Sequence, residues 1–161
     1  MPKINFNERK INYSSRGKGT AIVFLHGFCE DSSVWDDFIS VFKFNKIIRI
    51  DLPGFGSSEP MGNPSVELFA DVVKSILNHL EIRTCTLIGH SMGGYVSLAF
   101  AKKYAKDTLK FMNFSGIKPG ATDLHNLASI VNNPNKYKGV TSSNNNIVFD
   151  ELGTKRYLRD I

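Results

Sequence analysis

The sequence predicts an α/β fold in which helices flank a mostly parallel sheet. Two short apolar runs, Ala21–Leu25 and Lys46–Ile50, are typical of strands buried on both faces of such a sheet. After them, apolar residues recur at helical spacing over residues 66–80, which indicates a helix with one buried face. A strand over residues 84–89 then runs directly into another helix. This alternation of strands and helices is the pattern that produces parallel sheets.

The N-terminal residues predict a β-hairpin followed by a loop. Apolar and polar residues alternate over residues 4–6 and 11–13, on either side of a polar turn at residues 7–9. Residues 14–19 are polar and contain two glycines, which predicts a loop. The spacing of these glycines does not fit a phosphate-binding loop.

Capping residues set the predicted helix starts. Asp31, Ser32 and Ser33 offer N-caps for a short helix that ends near Phe42. Asn63 is the predicted N-cap of the longer helix, with Pro64 at its first position, where the missing N–H of proline costs nothing. The helix that follows the 84–89 strand begins near Ser91.

The composition of the chain changes near residue 118. Residues 1–118 form the predicted core, ending with a strand over residues 109–114, whereas residues 119–161 are rich in Asn and Ser and lack clear periodicity. We expect the second segment to be a lid, a loosely packed tail or a partly disordered region. Within it, Ile147–Phe149 is the stretch suited to cover the edge of the 109–114 strand. An uncovered edge there favours self-association.

Composition and charge argue against several classes of function. The formal net charge of +5, from 20 Lys and Arg against 15 Asp and Glu, is spread along the chain, which argues against nucleic-acid binding. No apolar run approaches the roughly 18 residues of a membrane-spanning helix. The first residues lack a signal-peptide core, so we expect a cytoplasmic protein that does not act at a membrane. Cys29 and Cys85 have no metal-ligand spacing and are predicted to be buried, reduced thiols.

The strongest chemical signal is the Gly-x-Ser-x-Gly motif formed by residues 89–93, between a predicted strand and a predicted helix. On such a turn the Ser91 hydroxyl projects above the sheet. Side chains at Gly89 or Gly93 would collide with neighbouring backbone. The turn also places the Met92 N–H at a helix N-terminus, where an anion is stabilised. The motif is typical of a nucleophile elbow.

A second signal, His26-Gly27-Phe28, lies at the end of the buried Ala21–Leu25 strand. An acyl-transfer enzyme needs a second backbone N–H beside the developing oxyanion, and a loop at this strand end can supply it. Phe28 carries the candidate N–H. The alternative interpretation is a simple strand-ending turn, and His26 is predicted to be a structural, hydrogen-bonded histidine rather than a base.

These segments together resemble the α/β-hydrolase family. The His26 segment, the loop Asp51-Leu52-Pro53-Gly54-Phe55-Gly56-Ser57-Ser58 and the Ser91 motif occur in the family's order and with its typical spacing. Within the family they most resemble the small esterase, thioesterase and carbon–carbon-bond hydrolase branch. The resemblance covers residues 1–118.

The resemblance implies roles for individual residues. Ser91 is implied as the nucleophile, and the Met92 and Phe28 amides as the donors of the oxyanion hole. Asp51 and Gly54 are implied as structural parts of a loop near the site. Gly27 and His90 adjoin these groups and are expected to border a small-molecule acyl substrate. No metal and no organic cofactor are implied, because this chemistry needs only side chains and backbone amides.

The sequence departs from the family after the serine motif. In the family an acid and then a histidine follow on later loops, but this chain ends about 70 residues after Ser91, which implies a truncated hydrolase. Asp123 and His125 are the downstream candidates, although their spacing makes a base-and-orienter pair awkward. Asp107 precedes the last predicted strand and therefore lies at the wrong end of the sheet. His79 is expected in solvent.

Two functions of different classes follow. The first is a serine hydrolase that cleaves a small carboxylic ester or thioester through a Ser91 acyl-enzyme. The second is a catalytically incomplete binding module or fragment that keeps the pocket but lacks the acid and histidine. The motif and the oxyanion loop favour the first, and the missing base favours the second.

Overall fold

The central strand of the sheet, Ala21–Leu25, is buried along its whole length and has a parallel neighbour on each side. The computed structural model describes residues 1–114, 147–149 and 155–156. Its strands and α-helices are, in chain order, β1 (Lys3–Phe6), β2 (Arg9–Arg16), β3 (Ala21–Leu25), β4 (Lys46–Ile50), α1 (Val66–His79), β5 (Cys85–His90), α2 (Met92–Lys103), β6 (Thr108–Phe114), β7 (Ile147–Phe149) and β8 (Lys155–Arg156).

The described strands form a sheet in the order β1-β2-β4-β3-β5-β6-β7-β8. The five strands from β4 to β7 in this order run parallel, whereas β1, β2 and β8 pair antiparallel to their neighbours. The predicted α/β fold with a mostly parallel sheet is confirmed. In a parallel sheet the carboxyl ends of adjacent strands meet at one edge, so the loops after β3, β4 and β5 lie together.

The N-terminal hairpin is confirmed, but its second strand is longer than predicted. Asn7 and Glu8 form the turn with φ of 46° and 63°, the left-handed conformation that tight two-residue hairpins require. The predicted loop over residues 14–19 is wrong in its first half. Residues 14–16 continue β2 because their backbone pairs antiparallel with β4, where Arg16 faces Ile47. A polar sequence is compatible with a strand that is solvated on one face.

The two faces of β3 contact different elements. Val23 and Leu25 belong to the apolar cluster that also contains the buried faces of α1 and α2. Phe24 points to the other face, where its ring packs against Trp35 and Phe42 at centroid distances of 5.1 and 5.4 Å. Both faces of the strand are thereby closed to water, which explains its continuous apolar sequence.

The segment after β3 contains two short 3₁₀ helices, Ser32–Trp35 and Ile39–Val41, rather than the single helix predicted. Of the three candidate caps, Asp31 is the N-cap of the first of these helices, because its side chain accepts a hydrogen bond from the Ser33 N–H at 2.7 Å. Two turns of this kind suffice to place Trp35 and Phe42 against the sheet, so a continuous helix is not needed.

Helix α1 begins two residues later than the sequence predicts. Its N-cap is Ser65, whose hydroxyl oxygen accepts a hydrogen bond from the Leu68 N–H at 3.1 Å, and not Asn63. Asn63 has a φ of 51°, outside the extended conformation that an N-cap adopts. Pro64 therefore precedes the helix rather than opening it.

Strand β7 lies against β6, as the sequence predicts for Ile147–Phe149. The pairing is parallel, with Met112 opposite Ile147 and Phe114 opposite Phe149. The edge of β6, whose exposure was the ground for expecting self-association, is thus paired with β7. Self-association itself stays a prediction. The change near residue 118 lies outside the described residues. No helix in the described part of the chain is long and apolar enough to cross a membrane.

Candidate active site

Ser91 lies on the tight turn between β5 and α2. Its φ of 48° and ψ of −114° place it in a conformation that non-glycine residues rarely adopt. Such a backbone costs of order 1–3 kcal/mol and persists where the surrounding structure enforces it. Ser91 occupies the N-cap position of α2, is partly exposed, and its carbonyl accepts a hydrogen bond from the Gly94 N–H at 2.9 Å.

The glycines on either side of Ser91 allow α2 to approach the sheet closely. A Cβ at Gly89 would overlap the backbone of Gly93 and Gly94. A Cβ at Gly93 would overlap the carbonyl of Leu25, at the end of β3. Both glycines are therefore required by backbone contacts, as the sequence predicts.

Two backbone amides border the same cavity beside this turn. Met92 is the first residue of α2, so its N–H has no partner within the helix and lies at the positive end of the helix dipole. Phe28 follows β3, and in the described part of the chain no group accepts a hydrogen bond from its N–H. Both residues line one cavity. The structure thus brings Met92 and Phe28 to one cavity, and the role of their amides as oxyanion donors stays a prediction.

Glu30 connects the two loops that carry these amides. The Gly27 N–H donates to Glu30 Oε2 at 2.7 Å, and His90 Nδ1 lies 2.9 Å from the same oxygen. Partial burial raises the pKa of the Glu30 carboxyl, but the hydrogen bonds from His90 and Gly27 outweigh it, and the pKa lies below its ordinary value. The carboxylate is therefore ionised and accepts from both partners.

His26 is a structural histidine, as the sequence predicts. It is fully buried, its Nδ1 is 2.7 Å from the Gly27 carbonyl oxygen, and its Nε2 accepts from the Leu52 N–H at 2.9 Å. An acceptor at Nε2 leaves the proton on Nδ1, which donates to Gly27. Burial lowers the pKa of His26, which keeps the ring neutral. Both ring nitrogens are therefore occupied, so His26 is not a base.

Asp51 organises the loop after β4, in agreement with the structural role that the resemblance implies. Its carboxylate accepts from the Ser32 N–H, the Ser57 N–H and the Asn12 side-chain amide, at 2.9, 2.9 and 2.8 Å. Burial raises the pKa of Asp51, but these hydrogen bonds outweigh it and the pKa is lowered. Gly56 passes so close to this carboxylate that a Cβ would overlap it.

An apolar cavity of about 370 Å³ opens beside Met92 and Phe28. Its floor and walls come mainly from the loop after β4 and from the start of α1. The lining residues are Phe28, Pro53, Gly54, Phe55, Pro60, Met61, Pro64, Ser65, Val66, Phe69 and Met92. None of these side chains is charged, so the cavity suits a neutral, apolar group.

Several predicted residues do not join this site. Asp123 and His125 lie outside the described residues. Asp107 pairs with Lys74 at 2.9 Å just before β6 starts, at the sheet edge opposite Ser91. His79 is exposed, as predicted, with its ring against Tyr13. Among the described residues, no cluster of His, Cys, Asp or Glu is arranged to hold a metal ion.

The cysteines differ from each other. Cys85 is buried as predicted, and burial raises the pKa of its thiol to about 12, so it stays protonated. Cys29 is exposed, so its predicted burial is wrong. It lies in the loop after Phe28 with a φ of 58°, and this loop follows the surface at the mouth of the site rather than entering the core.

Sequence reasoning missed Glu30 and the composition of the cavity. Glu30 and His90 are separated by 60 residues, so no local pattern connects them. One sequence signal could have indicated Glu30: it is an acidic residue three positions after Gly27, in the loop that the sequence predicts to form the oxyanion hole.

Comparison with known proteins identifies the fold family. A sequence profile described as the alpha/beta hydrolase fold matches residues 20–151, most of the chain. The chain belongs to the alpha/beta hydrolase family. The family resemblance predicted from the three sequence motifs is confirmed, and the strand–turn–helix that carries Ser91 is the position at which this fold places its nucleophile.

Proteins similar to this member of the alpha/beta hydrolase family are named as different kinds of hydrolase. A 2-hydroxy-6-oxononadienedioate/2-hydroxy-6-oxononatrienedioate hydrolase from Paraburkholderia phymatum is 34% identical over 118 residues, which is 68% of this chain and 41% of the relative. A thermophilic esterase from Thermogutta terrifontis superimposes with a TM-score of 0.66 at 29% identity, covering 76% of this chain and 48% of the esterase. The epoxide hydrolase CorEH superimposes with a TM-score of 0.67 at 26% identity, covering 70% of this chain and 41% of CorEH.

The alpha/beta hydrolase chain spans about two fifths of the length of the curated relatives it matches. The chain covers 41% of the Paraburkholderia hydrolase. It covers 35% of an uncharacterized protein of Mycobacterium tuberculosis, to which it is 30% identical over 118 residues, or 71% of this chain.

Proposed function

We propose that this protein is a serine hydrolase that cleaves a small carboxylic ester or thioester through an acyl-enzyme on Ser91. The observation that carries the proposal is the left-handed conformation of Ser91 at the strand–helix turn, with the Met92 amide at the helix N-terminus beside it. A turn of this kind presents a hydroxyl to substrate and an N–H to the charge that forms when the hydroxyl attacks.

The reaction proceeds in two halves. Ser91 Oγ attacks the carbonyl carbon while a base accepts its proton, and the carbonyl oxygen becomes an oxyanion that accepts hydrogen bonds from the Phe28 and Met92 amides. The intermediate collapses when the same proton passes to the leaving alkoxide or thiolate. Water then attacks the acyl-enzyme in the same way and releases the carboxylic acid. Asp123 and His125 are the candidates for the acid and the base in this chain.

The cavity supports a neutral, apolar substrate group. Its lining contains no charged side chain, and Phe28 and Phe55 meet edge to face at 5.5 Å on its border. A volume of about 370 Å³ accommodates a short acyl or alcohol group. A dicarboxylate such as the one in the name of the Paraburkholderia relative carries two negative charges that the described lining does not pair. A neutral ester is therefore the preferred substrate class over carbon–carbon cleavage of a dicarboxylate.

The test is covalent labelling of the purified protein with a fluorophosphonate, followed by intact-mass measurement. The expected result is one adduct that is absent in Ser91→Ala and retained in Ser40→Ala, a change at an exposed serine outside the site. Ester turnover is then measured with p-nitrophenyl butyrate. A folded wild-type protein that forms no adduct would show that the serine is not activated. The catalytically incomplete binding module is the remaining function in that case, and it predicts ligand binding without turnover and no effect of Ser91→Ala on binding.

A further inference from the structure

Glu30 is the residue through which the loop after β3 contacts the turn that carries Ser91. A single carboxylate oxygen, Oε2, receives the Gly27 N–H at 2.7 Å and His90 Nδ1 at 2.9 Å. Gly27 directly precedes Phe28, and His90 directly precedes Ser91. One acceptor atom thus fixes the residue before a proposed oxyanion donor and the residue before the proposed nucleophile.

Gly27 lies close to both partners of this contact. A Cβ there would lie 2.9 Å from both Glu30 Oε2 and His90 Nδ1, so a larger residue would have to displace these side chains. The Gly27 carbonyl on the other side of the residue is held by His26 Nδ1 at 2.7 Å. The backbone of Gly27 is therefore fixed at its N–H and at its carbonyl. The carbonyl belongs to the same peptide unit as the Phe28 N–H, so the direction of that N–H is set by these two contacts.

We infer that Glu30 is a positioning residue that holds the loop after β3 against the Ser91 turn and so orients the Phe28 N–H toward the developing oxyanion. The inference rests on the proposed function, because the oxyanion forms only if Ser91 attacks a carbonyl. Glu30 does not itself bind substrate. Its negative charge would disfavour a nearby oxyanion, so its contribution is geometric.

The geometric role makes a specific prediction for two substitutions. Both hydrogen bonds converge on one oxygen, so the amide oxygen of glutamine can accept both, whereas alanine can accept neither. Glu30→Ala is expected to lower kcat by about 10- to 100-fold with KM nearly unchanged, because transition-state stabilisation is lost while the apolar cavity is intact. Glu30→Gln is expected to retain kcat within about 3-fold of wild type.

A control carboxylate is available at Asp71 on α1, which accepts hydrogen bonds from Lys103 Nζ at 2.6 Å and from the Tyr104 hydroxyl at 2.7 Å. Asp71→Ala removes two hydrogen bonds at the end of α2 opposite Ser91 and is expected to leave kcat unchanged. Thermal unfolding of all three variants separates a loss of stability from a loss of rate. An unchanged kcat in Glu30→Ala overturns the inference, and so does an equal loss in Glu30→Gln, because that result assigns the effect to charge.

A readout that is independent of turnover is amide hydrogen exchange of the full chain, followed by NMR. Exchange at Gly27 is expected to accelerate at least about 10-fold in Glu30→Ala and to stay slow in Glu30→Gln and Asp71→Ala. If wild type neither hydrolyses esters nor reacts with the fluorophosphonate, the proposed function fails, and the exchange at Gly27 still decides whether Glu30 holds the loop. Unchanged exchange in Glu30→Ala overturns the positioning role even in an active enzyme.

Discussion

The Leu52 N–H donates a hydrogen bond to Nε2 of the buried His26 at 2.9 Å. Leu52 follows β4 and His26 follows β3, so this one contact joins the ends of two neighbouring parallel strands. The ring donates in turn to the Gly27 carbonyl at 2.7 Å. A neutral imidazole can make both contacts because it has one donor and one acceptor, and no other side chain of this size offers the same pair on one rigid ring.

Replacing His26 is expected to weaken the fold and to change its pH dependence. Burial lowers the pKa of His26, so the unfolded chain takes up a proton near pH 6.5 that the folded chain does not. Stability therefore falls as the pH drops below the unfolded pKa. His26→Gln is expected to cost about 1–3 kcal/mol at pH 7 and to remove this part of the loss between pH 7 and 5.5. Urea unfolding of wild type and His26→Gln at pH 7 and pH 5.5 measures both the loss of stability and its pH dependence.

The control for this prediction is His79→Gln, because His79 is exposed on α1. It is expected to leave the pH dependence close to wild type. A wild-type slope that persists in His26→Gln would show that other groups cause the pH dependence.

The conformation of Ser91 predicts that glycine is more stable than alanine at this position. Its φ of 48° and ψ of −114° are strained for any residue with a Cβ, whereas glycine adopts positive φ without penalty. Ser91→Gly is therefore expected to be more stable than Ser91→Ala by about 1 kcal/mol. Neither variant has a nucleophile, so the comparison tests backbone strain separately from chemistry. Urea unfolding of both proteins, side by side, gives the difference, and equal stabilities would mean that the turn is relaxed.

Gly93→Ala is expected to destabilise the protein by about 2 kcal/mol or more. Its Cβ would overlap the Leu25 carbonyl at the end of β3, and α2 can relieve the overlap only by moving away from the sheet. The matched control is Gly62→Ala, because a Cβ there meets no atom within 4 Å. The control is expected to change stability by less than about 0.5 kcal/mol. Comparable losses in the two variants would contradict the close approach of α2 to β3.

Narrowing the cavity is expected to change the preferred substrate length. Val66 lines the cavity at the first position of α1 and is half-buried. Val66→Phe places a larger side chain in the same space, so kcat/KM for a p-nitrophenyl hexanoate ester is expected to fall by about 10-fold or more relative to the acetate ester. Val66→Leu, which adds less volume, is expected to have a smaller effect. A uniform loss for both esters would place the acyl group outside this cavity.

The sequence predicts the buried strands of the fold well, and it predicts the helix starts and the contacts between distant residues less well. Ala21–Leu25 and Lys46–Ile50 are found with the predicted bounds because strands enclosed on both faces leave a continuous apolar signal. The start of α1 is misplaced because Asn63 and Ser65 are both good caps by composition. The left-handed φ of Asn63, which tertiary structure sets, decides between them.

In the candidate site, too, the local features can be predicted from the sequence and the contacts between distant residues cannot. The Ser91 turn is readable from sequence because both glycines that its close backbone contacts require lie only two residues from Ser91. The Glu30–His90 contact is not readable, because it depends on the adjacency of β3 and β5 in the sheet rather than on spacing along the chain. Cys29 was expected in the core on the basis of residue type, but its position in the loop at the site mouth exposes it.

The hairpin β1–β2 lies outside the residues that match the family profile, yet it is attached to the loop that forms the cavity wall. Asn12 donates its side-chain amide to Asp51 at 2.8 Å and its backbone N–H to Ser58 Oγ at 2.8 Å, and the Glu59 N–H donates to the Lys10 carbonyl at 2.9 Å. A shortened gene that starts at residue 20, where the profile match begins, would express a sheet with an unsupported cavity wall. Cloning boundaries for this protein should therefore follow these hydrogen bonds rather than the ends of the sequence match.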